Sequence, residues 1–237
     1  MARKYDLISE LYSHTCKMIV MYPQNWEAFL RSACRNFRLR FDEQLLVYAQ
    51  RPDATAVLEI ERWNESFGRW VNRGAHGIAV FEDAARSRQR LVHYFDISDT
   101  HESRYSRPVP VWEMKSEYSE DVVDTLESTF GELDDKSSLE AAILSAAKNA
   151  VEDNIPDYLS DLLDSVENSF LDGLSEEEIS VIYKETVQNS VAYMLMTRLG
   201  LPADEYFSPD EFAHVYEFNT PPTINALGIA TSDIAEM

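Results

Sequence analysis

The sequence predicts an α+β protein: a small antiparallel sheet with helices over residues 1–110, followed by an acidic all-helical domain over residues 111–237. Three observations lead there. Apolar positions recur at helical spacing through most of the 237 residues. Extended, β-branched runs are confined to a stretch between residues 54 and 98 that also holds three of the chain's seven glycines, Gly68, Gly74 and Gly77. The charge is split: residues 1–110 carry 16 Lys and Arg against 14 Asp and Glu, and residues 111–237 carry 5 against 28.

In chain order, residues 5–20 place Leu7, Ile8, Leu11, Tyr12, Cys16 and Ile19 on one helical face. Pro23 opens a second helix with Trp26, Phe29, Leu30, Ala33, Cys34 and Phe37 on one side and Arg31, Arg35 and Arg38 on the other. "FDEQLLVYAQRP" reads as a third helix, with Asp42 as N-cap and Pro52 as its stop. "ATAVLEI" reads as a strand and "ERWNESFG" as a short helix closed by Gly68. In "RWVNRGAHGIAVFED" two short extended runs flank an Asn-Arg-Gly-Ala-His-Gly turn, which predicts a hairpin. "RLVHYFDIS" is a third extended run, expected to pair with "GIAVFED" across the polar loop "AARSRQR".

Beyond Pro110, "SEDVVDTLESTFGEL", "SSLEAAILSAAKNAVEDN", "IPDYLSDLLDSVENSFLDGL" and "SEEEISVIYKETVQNSVAYMLMTRLGL" each read as a helix with an acidic outer face. Ser175 with Glu178 forms a capping box, and Gly200 with Pro202 ends the longest helix. "SPDEFAHVYEFN" and "PPTINALGIATSDIAEM" add two shorter helices. The chain stops within a helix-like pattern, which suggests a fragment of a longer polypeptide with further domains.

Several function classes find no support in the residues. No run of eighteen apolar residues exists, so no membrane span or secretory signal is expected and a cytoplasmic protein is. Cys16 and Cys34 lie in helix-like segments, match no metal spacing and read as reduced core thiols. His101-Glu102 is not followed by the second histidine of an HExxH motif, and the five histidines form no ligand cluster. With neither a nucleophile elbow nor a phosphate-binding P-loop, no enzyme, metal or cofactor is assigned.

Binding has more support. Between Arg31 and Arg107 there are thirteen arginines and no lysine, a choice suited to planar contact with phosphate or carboxylate and to stacking on rings. The alternative is that these arginines pair with acids of the same chain. Trp63, Trp70, Tyr94 and Phe95 alternate with Arg62, Arg69 and Arg73, the mixture by which single-strand binders stack bases and follow the backbone. Trp63 and one of Tyr94 or Phe95 are expected in the core; Trp70, Arg69, Arg73 and His76 are expected at the surface.

Over about residues 24–100, where Trp26, Gln44, Leu45, Leu46, Trp63, Gly68, Gly74, Gly77 and Asp96 fall in order, the chain resembles the N-terminal domain of the ArdC-type antirestriction proteins. It is still closer to the N-terminal region of large helicase/methylase-like proteins of integrative and conjugative elements. The resemblance rests on Trp26, Phe29, Gln44, Leu45, Leu46, Tyr48, Trp63, Gly68, Val71, Gly74, Gly77, Ile78, Phe95 and Asp96 in that order and spacing. It implies a single-stranded DNA-binding domain acting on mobile-element DNA. In ArdC proteins a zinc metallopeptidase-like domain follows; here there is no HExxH and an acidic helical half stands in its place, so protease activity does not carry over. Residues and resemblance together assign DNA contact to Arg38, Arg40, Gln44, Arg69, Trp70, Asn72, Arg73, Gly74, His76 and Gly77. With a balance of only +2 in this half, affinity should be modest and strongly salt-dependent. The acidic half has three readings: a mask over the arginine face, a DNA mimic that occupies a host restriction or CRISPR effector, or a solubilising spacer.

Overall fold

The computed structural model describes residues 2–82, 90–110 and 113–237, with the side chains of residues 2 and 3 left aside. The expected loop "AARSRQR" lies almost wholly outside them. Helix α1 (Ala2–Val20) and α2 (Pro23–Ala33) lead through a 3-10 turn, Cys34–Asn36, to α3 (Phe41–Gln50). Then come β1 (Val57–Glu59), α4 (Ile60–Phe67), β2 (Arg69–Val71), β3 (Ile78–Phe81), β4 (Leu91–Asp96) and β5 (Thr100–Glu102). The remainder is helical: α5 (Ser119–Phe130), α6 (Leu139–Leu163), α7 (Glu176–Leu199), α8 (Ala203–Tyr206), a 3-10 segment (Pro209–Glu217) and α9 (Pro221–Glu236). The protein is mixed α+β with small antiparallel sheets. Among the described residues no helix is long and apolar enough to cross a membrane.

Many local expectations hold. Gly68 closes α4 in the left-handed region at φ 61°. Ser175 and Glu178 form the capping box of α7, and Gly200 ends it at φ 71°. Others need correction. The N-cap of α3 is Arg40, not Asp42: the extended Arg40 backbone N–H donates to the Glu43 carboxylate at 3.1 Å, and Asp42 falls inside the first turn. Pro156 does not separate two helices. It sits within α6, and both it and Glu152, whose carbonyl loses its helical donor, are exposed residues. "SPDEFAHVYEFN" forms a 3-10 segment broken at Phe212 (φ −112°) rather than a regular helix.

The hairpin is the larger correction. Strands β2 and β3 do not pair with each other. β3 joins β4 in a three-stranded antiparallel sheet of order β1-β4-β3, with Ile78 opposite Tyr94 and Phe81 opposite Leu91, while β2 pairs with β5 in a separate two-stranded sheet. Burial explains the choice. Ile78, Ala79 and Val80 are all buried, so β3 belongs to the core layer, where Val80 and Ile78 pack with Leu46, Val47 and Val57. β2 carries an outward Trp70 and has no apolar set to offer that layer. Residues 72–77 therefore cross from one sheet to the other. The open edge of β3 is closed by α3: Gln50 Nε2 donates to the Ala79 carbonyl at 2.8 Å and its Oε1 accepts from the Ala79 N–H at 2.9 Å.

The boundary at residue 110 does not divide the packing either. Trp26, Phe29, Leu30 and Phe41 belong to the same buried cluster as Tyr183, Val187, Tyr193, Phe218 and Leu227. Polar groups cross in the same way: Trp26 Nε1 donates to Ser190 Oγ at 2.8 Å, and Ser232 Oγ donates to Gln44 Oε1 at 3.0 Å. The apolar stripe of α2 packs against α1, α3, α7 and the 3-10 segment, and none of its residues belongs to the cluster beneath the three-stranded sheet. Charge asymmetry tracks the outer surfaces of the two halves and carries no information about this shared interior.

Candidate nucleic-acid interface

The two-stranded sheet is the place to build from. Its register sets Arg69 opposite Glu102, Trp70 opposite His101 and Val71 opposite Thr100. With a side-chain period of two, Trp70 and His101 share one face and Arg69, Val71, Thr100 and Glu102 share the other. Trp70 is 53% exposed although it is a large aromatic residue. His101 Nδ1 lies 2.8 Å from Asn72 Oδ1, so Nδ1 carries the proton and donates, and the Nε2 of a neutral ring is left as an acceptor.

Arg69 is a correction to the expected surface set. Its side chain is only 12% exposed: Nε donates to Thr100 Oγ1 at 2.8 Å and Nη1 to Glu102 Oε1 at 2.9 Å, so it staples the sheet from beneath. Gly68 fixes the path of the chain beyond β5. A Cβ there would stand 2.9 Å from the Tyr105 carbonyl oxygen, and the Gly68 carbonyl accepts from Ser103 Oγ at 2.7 Å and Ser106 Oγ at 2.8 Å. Arg107 N–H also donates to the Phe67 carbonyl at 2.9 Å. Residues 103–107 are thus clipped to the end of α4, and they present Tyr105, 80% exposed, with the Arg104 guanidinium 6.0 Å above its ring.

The crossing segment contributes Arg73 and His76. Asn72 N–H donates to the Asp99 carbonyl at 2.7 Å and Ala75 N–H to the Asn72 carbonyl at 3.0 Å, a tight turn that Gly74 completes at φ 89° with open space around it. Arg73 and His76 are exposed. Gly77 serves packing instead of a ligand: a Cβ would meet His93 Cβ and Phe95 Cζ at 3.0 Å each. Gly77, assigned to DNA contact from the sequence, is required for this close packing against β4.

The arginines now sort into two groups. Arg31 pairs with Asp204 at 2.5 Å, Arg40 with Asp42 at 3.2 Å and Glu43 at 3.7 Å, Arg51 with Asp99, and Arg69 with Glu102. For these the alternative of pairing with acids of the same chain is the right one. Arg62, Arg73, Arg104 and Arg107 are exposed and make no ion pair among the described residues. Arg38 is exposed with its guanidinium 5.4 Å from the Phe37 ring centroid. Gln44 is 1% exposed, donates to the Leu39 carbonyl at 2.8 Å and accepts from Ser232, so it is a core bridge and is withdrawn from the DNA-contact set.

The aromatic residues divide as cleanly. Trp63 is fully buried with Nε1 donating to the Phe95 carbonyl at 2.8 Å, and the Tyr94 hydroxyl donates to Glu43 Oε1 at 2.7 Å. Asp96, part of the family-like pattern, holds backbone. It accepts from Thr55 N–H at 2.7 Å, Ala56 N–H at 3.0 Å and Ser98 N–H at 3.0 Å. Burial by itself would raise its pKa, but the hydrogen bonds from Ser98, Ala56 and Thr55 together outweigh that and hold it below the usual carboxylate range.

Trp70, Asn72, Arg73 and His76 are thus retained from the expected set as exposed groups, and Gly74 as the hinge that aims them. His101, Arg104, Tyr105 and Arg107 join them. The signal for these was present in "HESRYSR", where an aromatic residue stands between arginines, but only pairing of β5 with β2 brings that segment beside Trp70. Comparison of the chain with protein-family models, with curated proteins and with solved structures returns no match.

Proposed function

We propose that this chain is a non-catalytic module that binds single-stranded DNA, within a mobile-element protein of antirestriction association, using the exposed face of the two-stranded sheet. The observation that carries the reading is the Trp70–His101 cross-strand pair, in a sheet whose continuing segments bear Arg73, Arg104 and Arg107, which are exposed and lack carboxylate partners among the described residues. An exposed indole has a face on which any base stacks, and unpaired guanidiniums beside it neutralise the phosphates on either side. A narrow strip of two three-residue strands suits one unpaired strand, not the grooves of a duplex. The mobile-element and antirestriction association rests on the resemblance to the ArdC-type N-terminal domain.

The test is fluorescence anisotropy of labelled single- and double-stranded oligonucleotides with the full chain at about 50 and 200 mM salt, a range over which phosphate-driven binding falls steeply. Preference for the single strand, weakened by salt and by Trp70→Ala, supports the reading. Equal or absent binding of both oligonucleotides defeats it.

A second reading has the acidic half act as a DNA mimic that engages a nuclease effector of the host. What favours it is a stacked pair, Phe170 and Tyr216, ring centroids 4.7 Å apart and both about half exposed, one from each of two acidic segments. Residues 161–178 hold seven carboxylates and residues 203–217 five, with no Lys or Arg in either. Competition between this protein and DNA for a purified effector, lost in Phe170→Ala, tests it; additive binding of both to the effector counts against it.

A further inference from the structure

We propose that a cleft between α2, the end of α7 and the start of β1 is a binding site for a phosphate monoester. It is separate from the Trp70 face and stands without that reading. The cleft encloses about 500 Å³, within the range of small-molecule sites. Arg31, Arg35 and Arg198 line it together with Phe37 and the hydroxyl-bearing Thr55 and Thr197, while no Asp or Glu does among the described residues. In a chain with 42 acidic and 21 basic residues, a concavity lined by three cations and no anion is a marked local reversal of sign.

The guanidiniums are held in place by their surroundings. Arg198 sits 3.2 Å from the Phe37 ring centroid, and Arg38 lies 5.4 Å from the same ring. Arg35 donates from Nε to the Ala54 carbonyl at 2.9 Å and from Nη2 to the Pro52 carbonyl, which fixes its plane; its Nη1 makes no hydrogen bond among the described residues. Arg31 is anchored at the rim by Asp204. Burial first, and then the nearby charge of Arg38, lowers the pKa of Arg198 against the smaller opposing effects of Cys34 and Glu236.

A compact, doubly charged anion with several acceptor oxygens suits this arrangement better than a carboxylate, since planar forks from two elements and the Thr197 hydroxyl line one space, the Thr55 hydroxyl being already given to Asp96 at 3.3 Å. Two sources share that chemistry: a free nucleoside monophosphate and the 5′-phosphate end of a DNA strand. Val109 and Pro110 form part of the wall, and the backbone that reaches them passes directly from Tyr105 and Arg107 at the two-stranded sheet.

The experiment titrates the full chain with thymidine 5′-monophosphate, with thymidine, and with a short oligothymidine carrying either a 5′-phosphate or a 5′-hydroxyl, read by calorimetry. Binding of the monophosphate but not of thymidine, or a tighter complex with the 5′-phosphorylated than with the 5′-hydroxyl strand, supports the site and identifies its source. Arg198→Gln and Arg35→Gln should each weaken that phosphate-dependent term by about tenfold or more, as loss of a charge-assisted hydrogen bond implies. Arg198→Lys keeps the charge and should recover part of it, which separates loss of the site from loss of the fold. Failure of the terminal phosphate to matter in either ligand, or full binding by both Gln variants, overturns the proposal.

Discussion

Trp70 and His101 stand directly opposite each other in β2 and β5, on the face of the two-stranded sheet turned away from the Arg69–Glu102 pair. One side of this sheet is closed by its own ion pair and the other presents an indole half in water. Trp70→Ala removes the stacking platform without opening a cavity, so single-strand affinity should fall by about 1–3 kcal/mol, or about 5- to 150-fold. Anisotropy titration beside a thermal melt checks this, and a large fall in melting temperature would mean that Trp70 is a structural residue.

Arg73 and Arg69 are four residues apart and should behave in opposite ways. Arg73→Gln should leave stability unchanged and lower the slope of log affinity against log salt by about 0.7 for a single strand. Arg69→Gln should lower stability by about 1–2 kcal/mol through its bonds to Thr100 and Glu102. Chemical denaturation and a salt series on both variants separate the two roles.

Asp96→Asn should lower stability by about 1–3 kcal/mol, because the carboxylate receives three backbone N–H groups that a neutral amide satisfies less well. The sign of the pH dependence comes from its lowered folded pKa. Its contribution is complete above the unfolded value of about 3.9 and is lost as pH falls through the lower folded value. The wild type should lose this share of its stability only below about pH 4, while the Asn variant lacks it at every pH. Melting temperatures across pH 2.5–7 would show parallel curves if Asp96 had no such role.

Gly228 of α9 faces the Phe41 ring of α3, where a Cβ would lie 2.1 Å from Cε2. Alanine is the better helix former, yet Gly228→Ala should lose about 1–3 kcal/mol by overpacking this joint. Combining it with Phe41→Leu should cost less than the two separate losses added together. Additive losses in that double-mutant cycle would show that the joint relaxes by another route.

A chain truncated after residue 110 should fail to unfold cooperatively. Its Trp26, Phe29 and Leu30 would lose the cover of Tyr183, Val187 and Tyr193, and the Trp26 indole would lose Ser190. Circular dichroism with a denaturant titration tests this; a sharp, two-state transition for residues 1–110 would restore an independent domain.

Local rules account for the elements that could be read directly. The Ser175–Glu178 capping box and the left-handed Gly68 and Gly200 depend on a few neighbouring residues, whose chemistry is written in the chain. Partner choice does not. That β2 joins β5 instead of β3, that Gln44 reaches Ser232, and that Arg69 folds under while Arg73 stays in water were decided by which surfaces the packed helices and sheets left to be covered. Burial is a property of residues far apart in sequence competing for the same interior, and the −23 balance of residues 111–237 describes the outside of that interior alone.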